Sequence, residues 1–302
     1  MDEDWPLLIR QIKSDFGRVG KEKGEVLRSL EKWAIFPNKF VEVSTVCAEL
    51  HGEIVNGMKS LVPGGFPRFT SRDVEKERVK LHQKLASRIF KLYRNCLELS
   101  LITPVLAEAF INMAILILCK KEIRENQRQF EAFIRSNIDA KIFDLPYKCQ
   151  GFERKIDPDS ETYKNFKRVM DRRNHAIHGN IDPEREQTEI VYFEGRRPLF
   201  KEPGDHIAKR FETQIRQYDP EKVIKNYEDT HEFLISIAER LAPDVRKGFW
   251  QVMEDPYPGY DLSRRITGAL LPEVTAIAHV GDLKYDDELH VNWAPGTVVR
   301  DE

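Results

Sequence analysis

The segment from Thr103 to Leu118 most constrains how this 302-residue chain can fold. It is apolar on nearly every side of a helix, and its polar interior residues are Glu108 and Asn112. A helix that is apolar all round has to be buried by other elements. Because Glu108 and Asn112 stand four residues apart, they share one helix face. The segment therefore predicts a core helix that offers one polar face to a neighbour or to a ligand.

A second helix is predicted after Asp157-Pro158, where aspartate can cap free N–H groups and proline fits the first turn. We expect it to end near Gly179, since glycine tolerates left-handed closure. Its apolar residues recur at three-, four- and seven-residue steps and define one core-facing stripe: Tyr163, Phe166, Met170 and Ile177. Arg173 falls on that stripe and stays charged at neutral pH, so it needs acceptors. We expect Glu108 and Asn112, or a ligand beside them, to meet it.

The end of this helix carries the sequence Arg173-Asn174-His175-Ala176-Ile177-His178. Together with the Thr103 to Leu118 segment and a closing helix predicted from Pro220 to Leu241, it resembles the HEPN family. These are all-helical domains whose last but one helix carries Arg, then Asn, Asp or His, and a His a few residues later. The resemblance covers roughly residues 75 to 242.

The resemblance implies a metal-independent endoribonuclease in which two protomers pair their motif helices around single-stranded RNA. His178 would take the 2′-hydroxyl proton or protonate the leaving 5′-oxygen, because histidine titrates near neutral pH. Arg173 would hold the phosphate through paired N–H donors. Asn174 would complete the catalytic set. The products would carry 2′,3′-cyclic phosphate and 5′-hydroxyl ends.

Further residues are predicted to support this chemistry. Glu108, Asn112 and His175 are the expected supporting residues. Five positions on a helix place Arg173 and His178 about 140° apart, so either the arginine stem wraps round or the partner protomer completes the site.

Simpler interpretations of the same residues remain open. His178 could only bind carbonyl groups at the helix end, and Arg173 with Glu108 could form a structural ion pair. His175, three residues before His178, could suggest a metal pair, but no further ligand stands at suitable spacing. We therefore predict no metal and no cofactor.

The charge balance excludes a generally basic nucleic-acid-binding protein, because 48 basic residues face 50 acidic ones. Affinity for RNA must come from a local patch, and the candidates are Lys167, Arg168 and Arg172 beside the motif. Four scattered cysteines predict reduced core thiols. No basic-then-apolar leader or uninterrupted membrane-length run is evident, which predicts a soluble cytoplasmic protein without membrane contact.

The chain as a whole is expected to be mainly α, a helical bundle of HEPN type that forms a homodimer. We expect an N-terminal helical region over residues 1–71, the bundle over 72–242 and an extension of uncertain structure over 243–302. Inside the bundle, a helix from Arg72 to Ser100 precedes the Pro104 helix, and residues 144–147 are irregular. A small hairpin from Thr188 to Phe200, turning near Gly195, follows the motif helix.

Three kinds of function are compatible with these patterns: an endoribonuclease, a non-catalytic dimerisation module, and an RNA or nucleotide sensor without turnover. One toxin branch of the family has a tyrosine two residues after the motif histidine, where this chain has Asn180. Abortive-infection or other antiviral defence ribonucleases are therefore the closer comparison than partner-modified toxins. An inhibitory or activating partner protein is expected for such an enzyme.

Overall fold

A computed structural model describes residues 4–61, 75–177, 184, 190–199 and 219–270. Within these residues the protein is mainly helical, as predicted, with two small antiparallel sheets. The helices are α1 (Asp4–Ser29), α2 (Lys39–Leu61), α3 (Glu75–Leu118), α4 (Lys121–Glu125), α5 (Gln127–Arg135), α6 (Ile138–Lys148), α7 (Glu161–Ile177), α8 (Pro220–Ala238) and α9 (Pro243–Met253). The strands are β1 (Trp33–Ile35), β2 (Tyr192–Glu194), β3 (Arg197–Leu199), β4 (Gly259–Asp261) and β5 (Thr267–Gly268).

The central helix α3 is longer than expected. The sequence predicted two helices separated before Pro104, but one helix of 44 residues runs through that proline. Proline inside a helix costs about 3 kcal/mol, so packing must offset it. Leu99 and Leu106 on either side are fully buried. The hydroxyl groups of Ser100 and Thr103 also donate to carbonyls one turn earlier, at 2.7 Å in each case.

By length and composition, the Gln83–Leu118 part of α3 could cross a membrane, which the sequence had not predicted because Glu108 and Asn112 interrupt its apolar run. Just over half of its most apolar stretch is buried inside the protein. A core helix of a soluble protein has the same properties, so the arrangement is compatible with solubility.

The main hydrophobic core surrounds the second half of α3. Phe110 is fully buried there and makes an edge contact with Phe249 of α9, with ring centroids 5.9 Å apart. Phe166 of α7 stacks on Phe233 of α8 at 4.5 Å. Burying each such side chain contributes about 1.5–3 kcal/mol, so these rings hold α9 against α3 and α7 against α8.

A second buried cluster joins α2, the middle of α3 and α8. Its buried members are Cys47, Ile54, Leu92, Cys96, Leu99, Leu106, Val223 and Tyr227. All four cysteines are buried free thiols, which confirms the prediction of reduced core cysteines.

Residues 243–270 pack against the N-terminal part of the chain. Strand β4 pairs with both β1 and β5 in antiparallel fashion. The buried Asn38 amide donates to the carbonyls of Met253 at 2.8 Å and Asp255 at 2.9 Å. The sequence had shown no sustained pattern in this region, because its strands are only two or three residues long.

Local signals around the motif helix were partly right. Helix α8 begins after Asp219, whose side chain accepts the Lys222 N–H, as the Asp-Pro signature predicted. The β2–β3 hairpin also forms, with Gly195 at a positive φ of 64°.

Two boundary predictions were wrong. Helix α7 begins at Glu161 and not at Asp157, because the Asp157 carboxylate accepts the Asp159 N–H in a turn, at 2.9 Å. Residues 144–147 were expected to be irregular, yet they lie inside α6 with Pro146 in its last turn.

Candidate functional site

The proposed catalytic motif occupies the last turns of α7 and the residues that follow. The backbones of Arg172, Arg173, Asn174 and His175 are helical. Their side chains, and the whole of His178, lie outside the described part of the structure. What can be described is the surrounding frame: the earlier turns of α7 and the faces of α3, α6 and α8 beside them.

The earlier turns of α7 pack one apolar face into the core. Tyr163, Phe166 and Met170 are at most 5% exposed, which confirms most of the predicted stripe. Arg173 follows Met170 by three residues and Phe166 by seven. Its backbone therefore continues the row of positions that are buried one and two turns earlier.

The polar face of α3 is bound by a lysine that was not among the predicted site residues. Lys141 of α6 is buried and donates to the Asn112 side-chain oxygen at 2.8 Å. Burial lowers the pKa of Lys141, and the Glu108 carboxylate acts in the opposite direction. Glu108 and Asn112 are themselves half-buried. These three side chains form a polar cluster inside the bundle, between α3 and α6.

Lys141 could have been found by the reasoning that singled out Arg173. It lies three residues after Ile138 and four before Leu145, so it stands on the apolar stripe of α6. A charged residue at such a position needs a buried partner.

The two candidate RNA-binding residues with described side chains point in different directions. The Lys167 ammonium lies 3.7 Å from the Asp139 carboxylate of α6. Asp139 also accepts the Tyr163 hydroxyl at 3.3 Å, and burial together with this carboxylate raises the pKa of Tyr163 to about 12. Arg168, the next residue, lies 3.2 Å from Asp229 of α8. Lys167 and Arg168 therefore do not form one patch.

Asp229 organises the charges between α7 and α8. Its side chain is only 2% exposed, and its two oxygens contact Arg168 and Lys225, each at 3.2 Å. Both cationic side chains remain at least half exposed. A buried carboxylate thus anchors two cations whose remaining N–H groups face solvent.

An open pocket of about 340 Å³ lies beside this cluster. It is lined by Arg168 of α7 and by Lys222, Lys225 and Asn226 of α8. Three of the lining side chains are cationic, and the surface that they expose to the pocket is mainly aliphatic. Rotation of their charged ends toward a bound anion would allow charge-assisted hydrogen bonds.

Comparison with protein-family models, with curated proteins and with solved structures finds no match to this chain. The likeness of the Arg173 to His178 segment to the HEPN motif therefore stays a prediction from those residues.

Proposed function

We propose that this protein is a metal-independent endoribonuclease that cleaves single-stranded RNA and leaves 2′,3′-cyclic phosphate and 5′-hydroxyl ends. One observation carries the proposal above the others. The Arg173-Asn174-His175 segment forms the last turns of a helix that is packed between α3 and α8, and the same helix lines a cationic pocket. An all-helical frame of this kind is what the HEPN resemblance implies.

The proposed chemistry requires one proton acceptor, one proton donor and a group that holds the phosphate. His178 would take the 2′-hydroxyl proton, so that the 2′-oxygen attacks the adjacent phosphorus. A protonated histidine would then give a proton to the departing 5′-oxygen. Arg173 would stabilise the charge that grows on the phosphoryl oxygens, and Asn174 would orient them. Because one motif offers a single histidine in this role, pairing two protomers would supply the second.

The polar cluster of Glu108, Asn112 and Lys141 supports the motif helix in this proposal. It places buried charge between α3 and α6, and in this proposal its carboxylate neutralises the Arg173 guanidinium. His175 would act from the same helix turn as the catalytic residues. A cytoplasmic, homodimeric defence or toxin-like enzyme under the control of a partner protein completes the proposal.

The alternative is a non-catalytic dimerisation module, or an RNA- or nucleotide-binding module without turnover. It is favoured by the Lys141 contact, since Asn112 already has a structural partner and Glu108 has a cation nearby. In this case the motif arginine would serve stability. Arg173→Ala would then lower the free energy of unfolding by about 3–5 kcal/mol, as expected when a buried pair is broken.

The test is incubation of the purified protein with an unstructured end-labelled RNA in EDTA, followed by analysis of the fragment ends. Wild type is compared with His178→Ala and Arg173→Ala. Arg128→Ala is the matched control, because Arg128 is an exposed arginine on α5 with no ion pair among the described residues. Circular dichroism confirms that each variant is folded.

We expect chelator-resistant cleavage that leaves cyclic phosphate ends. Loss of the general acid–base residue should reduce the rate about 10²- to 10⁴-fold in His178→Ala, with Arg128→Ala unchanged. Cleavage that survives in His178→Ala would refute the assignment of that histidine. A folded dimer that cleaves none of several RNAs would favour the non-catalytic alternative.

A further inference from the structure

We infer that the pocket between α7 and α8 binds a phosphate group of the RNA backbone through Arg168, Lys222 and Lys225. The inference rests on the proposed function for the identity of the ligand. It extends that proposal by naming a binding site outside the motif.

The pocket is held in shape by a buried charge. The Asp229 carboxylate fixes Arg168 from α7 and Lys225 from α8, so the two cations keep their positions before any ligand arrives. Such preorganisation reduces the entropy that binding must overcome. Among the described residues Lys222 forms no ion pair, so its charge is available to an incoming anion.

The side chains that line the pocket favour an anion. Three of the four are cationic and none is a carboxylate, while the carboxylates of Asp229, Asp219 and Glu228 lie close by. Lys222 and Lys225 lie in the first two turns of α8, where the helix dipole already gives a positive potential and disfavours cations. Asp219 caps the helix end, so these lysines are not needed there for helix stability.

The size and position suit a phosphate of a nucleic-acid strand. About 340 Å³ is near the lower end of small-ligand sites, and the pocket is open to solvent, so a chain can pass through it. Arg168 stands five residues before Arg173 on one helix, which is about 7.5 Å along the axis and about 140° around it. A strand that reaches both positions therefore has to bend around α7.

The experiment measures binding separately from cleavage. A fluorescent 2′-O-methyl oligonucleotide cannot be cleaved by attack of the 2′-oxygen, so its anisotropy reports affinity alone. Wild type is compared with Lys222→Gln, with the Lys222→Gln/Lys225→Gln double variant and with Lys247→Gln, an exposed control on α9. Thermal unfolding of each variant confirms the fold. Arg168 is not changed, so the buried Asp229 carboxylate keeps a cationic partner.

We expect Lys222→Gln to bind the oligonucleotide about fivefold more weakly near 0.1 M salt. Each phosphate contact on a single strand contributes about 0.7 to the slope of log K against log [salt], and at 0.1 M this corresponds to about 0.7 log units of affinity. The double variant should lose about 25-fold, with Lys247→Gln unchanged. Equal affinity of wild type and double variant would overturn the inference. Binding of inorganic phosphate to the pocket without binding of the oligonucleotide would also overturn it. Equally tight, pocket-dependent binding of polyglutamate would overturn it as well, because it would indicate an acidic protein partner.

The two proposals fail separately. Pocket-dependent oligonucleotide binding without RNA cleavage would retain the site and refute the ribonuclease. Cleavage that depends on His178, with unchanged oligonucleotide binding in the double variant, would support the ribonuclease and refute the phosphate site in the pocket.

A second, independent observation concerns two buried cysteines. Cys119 after α3 and Cys149 after α6 face each other in an isolated antiparallel bridge. The flanking backbone bonds run from the Lys120 N–H to the Lys148 carbonyl at 3.0 Å, with the equivalent bond on the other side at 2.8 Å. This pattern makes the cysteines a non-hydrogen-bonded pair, for which Cα atoms lie about 4.5 Å apart. That separation is within the range of disulfides.

We propose that Cys119 and Cys149 form a disulfide when a disulfide oxidant reaches them. With glutathione disulfide, a Cys119 or Cys149 thiolate attacks the oxidant and releases one glutathione thiol. The second cysteine thiolate then displaces the other glutathione, so two protein thiols are oxidised and one oxidant disulfide is reduced to two thiols. The pair is fully buried, so exchange requires local opening.

The test incubates native protein with glutathione disulfide at urea concentrations up to just below the unfolding midpoint, followed by acid quenching, alkylation and peptide mass spectrometry. We expect a linkage to Cys149 that persists in Cys96→Ala, disappears in Cys119→Ala and raises the thermal midpoint. The proposal would be overturned if the linkage formed at none of these urea concentrations. It would also be overturned if the linkage persisted in Cys119→Ala.

Discussion

Acid should destabilise this fold through His231, a buried residue of α8. Its ring lies 4.6 Å from that of Tyr227, which also contacts His51 of α2 at 5.7 Å. Burial lowers the pKa of His231 to about 3, and the neighbouring His51 adds to the effect. Burial lowers the pKa of His51 as well. Both residues lie where α2 and α8 pack together.

The size of the effect follows from proton linkage. Below its ordinary pKa of 6.5, the unfolded chain binds a proton at this histidine that the folded chain does not bind until about pH 3. The free energy of unfolding therefore falls as the pH decreases through that window. Between pH 7 and pH 5 the loss is about 2 kcal/mol, from roughly 1.5 pKa units at 1.36 kcal/mol each. That is a large share of a typical stability of about 5–15 kcal/mol.

The assay is urea unfolding at pH 7, 6 and 5 for wild type and His231→Gln. Glutamine keeps a donor and an acceptor but does not titrate. We expect the variant to be less stable at pH 7 and to lose about 2 kcal/mol less than wild type on going to pH 5. Parallel pH profiles for the two proteins, with equal m-values, would refute the reasoning.

Three further changes test the packing. Asn38→Ala should cost about 2–4 kcal/mol in urea unfolding, because it leaves two buried carbonyls and one N–H without their partner; a loss below 1 kcal/mol would contradict this. Gly151→Ala should cost about 1–3 kcal/mol, since φ is 87° and the new Cβ would lie 2.5 Å from Val245; adding Val245→Ala should restore only the part that is due to the clash. Deletion of residues 2–29 should change the unfolding free energy of the remainder by less than about 0.5 kcal/mol, because none of the described residues of α1 belongs to either buried cluster; a larger loss in urea unfolding would show that α1 packs on the bundle.

Local chemistry made some elements predictable from sequence. The Asp219-Pro220 cap and the Gly195 turn depend on residues within a few positions of each other, and both form. The apolar stripe of α7 was visible for the same reason. The expectation of reduced cysteines followed from their scattered, apolar contexts and is confirmed.

Long-range packing explains the errors. Pro104 and Pro146 look like helix ends when only propensity is considered. Each lies inside a helix because burial of the flanking apolar residues outweighs the local cost. Propensity alone cannot show that outcome, since the compensating contacts come from helices far away in the chain.

The frame of the candidate site was only half predictable. The sequence indicated that Glu108 and Asn112 form a polar face. The side chain that binds Asn112, Lys141, comes from another helix and was not predicted. The pocket is a property of two helices, because Asp229 of α8 aligns Arg168 of α7. Neither lysine of the pocket stands out in the sequence, where both belong to an ordinary charged helix face.

Helix α8 joins the acid-sensitive core to the proposed phosphate pocket, which allows one experiment to connect them. A ligand that binds only the folded state adds stability by RT ln(1 + [L]/Kd), about 2 kcal/mol at thirty times Kd. That equals the loss expected from His231 at pH 5. The 2′-O-methyl oligonucleotide at this excess should therefore raise the unfolding free energy at pH 5 by about 2 kcal/mol, which offsets the His231 part of the acid loss but not the His51 part. The Lys222→Gln/Lys225→Gln variant, whose core histidines are intact, should lose stability at pH 5 without this rescue. Equal rescue of both proteins would show that the strand binds elsewhere.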